Sequence, residues 1–185
     1  MTLIRKKPIG YPEISFLSFD VRALLASIQH EMELDAIRSV TFSLQTMETL
    51  ACIRWKHGKP GGDIFFHSLF NRPDVPQQVI EHVLRHELLH LKIPPREIDG
   101  KRVVHPPEFW EAEARLVPWT TFSWAWMYTA FWDVLKDDRE NECVWVKKTW
   151  KRLQRYPYPS WEMILKDLSR FSDKQGEIKV LMEGL

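Results

Sequence analysis

One stretch of sixteen residues, Gln77 to about Lys92, constrains this chain more than any other. Ile80, Leu84, Leu88 and Leu91 recur there at helical spacing, with Val79 and Val83 beside them. A helix with such a stripe must bury it against other structure. Pro73 and Pro76 set up its start, and Pro94-Pro95 forbids its continuation. The chain can supply the covering structure: 185 residues suit one domain, and 44% hydrophobic with 28% charged residues is ordinary for a globular protein. Disordered, collagen-like and low-complexity chains are excluded. A net charge of +1 points to neither nucleic acid nor membrane.

Before this helix, Leu17–Leu34 carries Val21, Leu24, Leu25, Ile28 and Met32 on one helical face, with Ser18 placed to cap it. Arg38–Thr46 switches to period two and reads as a strand, as does Leu50–His57 after the turn Thr46–Thr49. Gly58–Gly62 breaks the chain before a third short strand, Asp63–His67, and a loop over Ser68–Pro76. Beyond the helix, Pro94–Val104 reads as a polar loop containing the turn signal Asp99-Gly100. Pro106-Pro107 opens a helix through Leu116, and an aromatic helix spans Trp119–Trp132. That helix is uncharged, but about fourteen residues fall short of the roughly twenty a membrane span needs. Two further helices are expected, near Glu140–Gln154 and over Ser160–Phe171. The fold class expected is α+β, with residues 1–137 as the main domain and 138–185 as a helical extension packed on it. Cys52 and Cys143 lie far apart, and Met1–Gly10 shows no signal-peptide pattern, so a reducing, cytoplasmic setting is expected.

Chemistry enters at His86-Glu87-Leu88-Leu89-His90. Residues four apart share a helix face, so both imidazoles can point at one ion with a carboxylate beside them. Zinc takes neutral imidazole nitrogen, and a catalytic site needs three protein ligands and one open position. His82 sits one turn earlier but with Val83 at the base position, which makes it a neighbour. A third ligand must come from elsewhere. Ile93 and Arg96 stand where a metzincin would carry glycine and histidine, which leaves His105 or one of Glu108, Glu111 and Glu113.

The run Phe65–Asn71, then Val79–Lys92, then His105-Pro-Pro-Glu-Phe-Trp110 resembles the SprT-like and YgjP-like zinc metallopeptidases, the minigluzincins. In their pattern a histidine after a variable loop is followed by Phe at four and Trp at five residues, offsets that Phe109 and Trp110 match. The resemblance covers about Ala36–Val117. It implies a small three-stranded sheet packed on the active-site helix, one Zn2+ per chain held by His86, His90 and His105, and Glu87 as general base. Peptide hydrolysis through a metal-activated water is the activity expected.

Two alternatives accompany that reading. One keeps the metal but hydrolyses a non-peptide substrate such as a nucleotide phosphoanhydride, with Arg85 and Arg96 the nearest cations in sequence. The other is a zinc-stabilised binding module without turnover. Lys147, Lys148, Lys151, Arg152 and Arg155 interleave with Trp145, Trp150, Tyr156 and Tyr158, a composition that can bind single-stranded nucleic acid. A helix with one solvated basic face and one buried aromatic face explains it better. The expected partner is a peptide or protein, laid along an exposed edge strand. Asp63–His67 is the candidate edge, with His67 and Asn71 near its end either facing a cleft or solvated.

Overall fold

The structure is a computed structural model and describes residues 15–34, 37–43, 48–55, 62–138 and 143–167. Helix α1 (Val21–Glu31) begins where the Asp20 carboxylate accepts the Arg22 and Ala23 backbone N–H groups at 2.8 and 3.2 Å. Asp20 therefore replaces Ser18 as the cap, because a cap must directly precede the first turn to reach its free amides.

Strands β1 (Ile37–Ser43), β2 (Ala51–Trp55) and β3 (Gly62–His67) form one sheet in the order β1-β3-β2. β1 runs parallel to β3, and β2 runs antiparallel to it. The chain mixes helix and strand as an α+β fold. The expected edge, Asp63–His67, is the central strand. Ile64 and Phe66 within it are completely buried, and backbone groups at that depth need a partner on each side. The edge strands are β1 and β2 instead. Leu50 C=O accepts from His67 N–H at 2.8 Å, so by antiparallel alternation Ala51 and Ile53 turn their backbone groups outward.

After a 3-10 turn at Ser68–Phe70, helix α2 (Gln77–Lys92) spans what its apolar period requires. Ile80, Leu84 and Leu88 are fully buried. The expected polar loop beyond it is a hairpin, β4 (Arg96–Ile98) with β5 (Lys101–Val103). Asp99 (φ 52°) and Gly100 (φ 72°) form its turn, both left-handed as a two-residue type I′ turn demands. Helix α3 (Pro107–Leu116) follows with proline at its first position, and α4 (Thr120–Phe131) is the aromatic helix. No helix among the described residues is long and apolar enough to cross a membrane.

Over 143–154, the described part of the helix expected near Glu140–Gln154, no α-helix forms. Cys143–Val146 is strand β7, paired antiparallel with β6 (Leu135–Asp138), and Lys148–Arg155 is a run of 3-10 turns. The boundary expected at 137/138 thus falls inside β6. Val144 and Val146 are β-branched residues at period two, which suit a pleated surface better than a helix. Val146 N–H also bonds Glu48 C=O at 2.7 Å, tying this hairpin to the chain entering β2. Trp150, Leu153 and Tyr158 point inward, while Lys148, Lys151, Arg152 and Arg155 stay exposed. Arg72 lies over the Tyr158 ring, 3.9 Å from its centroid, and helps pin this segment down. The described chain ends in helix α5 (Trp161–Asp167). The N-terminal stretch at 1–10, the glycine-rich break at 58–61, and the ends expected for the first two strands and the last helix lie outside the described residues.

The main core gathers Leu25 and Ile28 of α1, Ile64 and Phe66 of β3, the α2 stripe, and Trp126 and Phe131 of α4. A smaller cluster of Leu89, Phe109 and Ala112 joins α2 to α3.

Candidate metal centre

Helix α2 lays His82, His86 and His90 along one side, a turn apart. His105 arrives from the hairpin, and Pro106 and Pro107 start α3 immediately after it. The ligand atoms of His86, His90 and His105 lie within 4.8 Å of one another, close enough to hold a metal ion. No carboxylate joins this group among the described residues. Phe109 packs beneath all three imidazoles, with ring centroids 4.6 to 5.0 Å away. Trp110 flanks His105 at 4.8 Å.

The three glutamates of α3 take different positions. Glu108 pairs with Arg96 at 2.6 Å near the surface, and Glu111 is exposed. Glu113 is buried, with Oε1 2.6 Å from His86 Nδ1. A ligand histidine typically donates its second ring N–H to such a carboxylate, which fixes the tautomer and turns Nε2 toward the ion. Burial opposes the charge on both groups, but their mutual hydrogen bond prevails. It holds the Glu113 carboxyl below its ordinary range and His86 above its own. His86 Nε2 lies 3.2 Å from His105 Nε2. His90 and His105 stay neutral: burial, then the charge on His86, pushes them down to about 3 and about 4. A set of neutral imidazoles fits a borderline-soft divalent ion.

Glu87 lies beside the histidines, facing β2. Burial pushes its carboxyl up to about 7, against the opposing charge of His86 and a hydrogen bond from Ile53 N–H. These groups line a cleft of about 600 Å3 walled by β2, α2, α4 and the β4–β5 hairpin. His82 lines it too, buried and packed edge-on against Trp124 at 6.0 Å.

His67 is neither in the cleft nor solvated. It is fully buried, with Nδ1 accepting Leu69 N–H at 3.1 Å and its ring against Trp150. Asn71 Oδ1 accepts Phe16 N–H at 2.7 Å, also outside the cleft. Sequence reasoning missed Glu113 as the partner of His86. A signal was present, since Phe109 and Glu113 are one turn apart and therefore share the face of α3 that meets His86. It also missed Cys52 of β2 and Trp124, Met127 and Tyr128 of α4 as cleft residues. No family model, curated protein or solved structure matches the chain.

Proposed function

We propose that the chain is a zinc metallopeptidase of the SprT-like and YgjP-like kind. The observation that carries this reading is the convergence of His86, His90 and His105 beside the buried carboxyl of Glu87, in a cleft bordered by an open strand edge. Bound to the three imidazoles, zinc would act as a Lewis acid on the scissile carbonyl and make a water in its open position acidic. Glu87 has the affinity for a proton that a general base needs near neutral pH. It takes the proton from the attacking water on a carboxylate oxygen and returns it to the leaving amine nitrogen. Glu113 holds His86 in the ligating tautomer. An extended substrate pairs with the outward backbone groups of Ala51 and Ile53, and Ile53 N–H exchanges Glu87 for the peptide.

Nucleotide hydrolysis has less support. Arg85 bonds Glu31 at 2.5 Å and Glu81 at 3.0 Å, and Arg96 is engaged by Glu108. Neither of the cations expected to serve a phosphoanhydride is free to do so.

The test is elemental analysis with peptidase assays on unfolded protein substrates. The parent should hold about one zinc per chain and hydrolyse peptide bonds. Glu87→Gln should keep the zinc and lose roughly 10²–10⁴-fold in turnover, since the amide cannot accept the proton. Absence of a transition metal after zinc is supplied, or unchanged turnover in Glu87→Gln, overturns the reading.

A further inference from the structure

Helix α4 carries no charge on any side, and two of its faces meet different surroundings. Phe122, Trp126 and Phe131 are buried in the core. Trp124, Met127 and Tyr128 also line the metal cleft, Met127 while buried in the same core and Tyr128 while 39% exposed. Trp124 and Tyr128, one turn apart, hold their rings 5.8 Å from each other, and His82 braces Trp124 from α2. Leu50, just before β2, and Ile53 within it line the same cleft, with Val83 one turn before Glu87. Five of these six side chains are apolar, and Tyr128 adds one ring with a polar tip. Among the described residues that line the cleft, Arg102 is the one lysine or arginine, and it belongs to the hairpin that carries the chain to His105.

We infer that this wall is the specificity pocket of the metal centre, and that it selects peptides carrying a bulky apolar side chain beside the scissile amide. The inference rests on the peptidase reading and supplies its substrate class. A peptide paired along β2 projects alternate side chains to opposite faces. One that flanks the scissile bond therefore turns toward α2 and α4. A charged side chain there would lose water and meet no opposite charge on the α4 wall. A phenyl or isobutyl group would be covered on three sides, by α4, by Val83 and by the strand edge. Burying such a group favours it over a methyl by roughly ten- to a hundred-fold.

Two measurements separate this inference from the reading beneath it. Calorimetry on the zinc-loaded protein would compare hydroxamates bearing benzyl, isobutyl, methyl or carboxymethyl arms, in the parent and in Glu87→Gln. Chelation does not need turnover. The benzyl and isobutyl compounds should bind at least ten-fold tighter than the methyl compound in both proteins. Tyr128→Arg, a change at a partly exposed position, should erase that advantage and strengthen the carboxymethyl compound. Sequencing of peptide products should find bulky apolar residues beside the cut. Equal binding of all four arms, or an unchanged ranking in Tyr128→Arg, overturns the pocket while leaving the metal centre standing. The expected ranking without peptide hydrolysis keeps the pocket and removes the peptidase. No binding of any hydroxamate removes both.

Discussion

Two carboxylates attend the histidines, and their surroundings give them opposite tendencies. Glu113 shares a 2.6 Å hydrogen bond with His86 Nδ1 and is held ionised. Glu87 is buried with no cation bonded to it, so its proton affinity rises. Groups pushed apart in this way can divide orienting and proton-transfer work between them. Glu113→Ala should therefore weaken zinc binding about 10–100-fold by freeing the His86 ring. Glu111→Ala, on the exposed face of α3, should leave zinc affinity unchanged. His105→Ala should lose more than either, because it removes a ligand. Competition with a fluorescent chelator reads all three, and equal affinity in Glu113→Ala and the parent would remove the orienting role. A glutamate two turns after His105 was visible in the sequence as a candidate ligand. Its engagement at Nδ1 instead depends on how α2 and α3 pack, which no local pattern encodes.

Among the elements, the β4–β5 hairpin has the least sequence signal for what it positions. Each strand is three residues long, too short for a period to show, so only Asp99-Gly100 marked the turn. The hairpin nevertheless folds the chain between His90 and His105 back on itself and brings His105 to α2. Gly100 sits at φ 72° with nothing within 4 Å of where a Cβ would be. A side chain there meets only backbone strain, of about 1–2 kcal/mol for a left-handed L-residue. Gly100→Val should lower stability by about that amount in urea denaturation. It should also weaken zinc affinity, since a misfolded turn moves His105. If Gly100→Val binds zinc as the parent does, the hairpin is not what places the third ligand. Helix α2 is the contrast. Its stripe and its proline boundaries are local, and its span agrees with the sequence reading from Gln77 to Lys92.

At the scale of the whole molecule, buried histidines give stability a pH dependence. Burial pushes His67 and His82 down to about 4, His105 to about 4 and His90 to about 3. In the unfolded chain each titrates near 6.5. As pH falls below that value the unfolded state gains protons that the native state refuses. The metal-free protein should therefore lose stability from about pH 6.5 downward, through about pH 4 and on toward about pH 3, where His90 takes its proton. Glu87, raised to about 7, and His86, raised by Glu113, act in the opposite sense, but they are two groups against four. Added zinc should raise the urea midpoint at neutral pH. The gain should shrink on acidification, because bound ligands must be neutral. Urea midpoints from pH 7.5 to 4, with and without zinc, check both statements. A flat metal-free profile between pH 7 and 5 would show that burial does not keep these rings neutral.

The sequence by itself determined the site helix, the pairing of His86 with His90 around Glu87, and the start of α3 at Pro107. All of these rest on interactions within four residues along the chain, which composition and spacing encode directly. The tertiary structure decided which strands are the edges, which glutamate meets His86, and which face of the aromatic helix lines the cleft. It also decided that Cys143–Val146 pairs with β6 rather than coiling. Each of these turns on a partner distant in sequence, and a residue's period shows that it will be buried without showing against what.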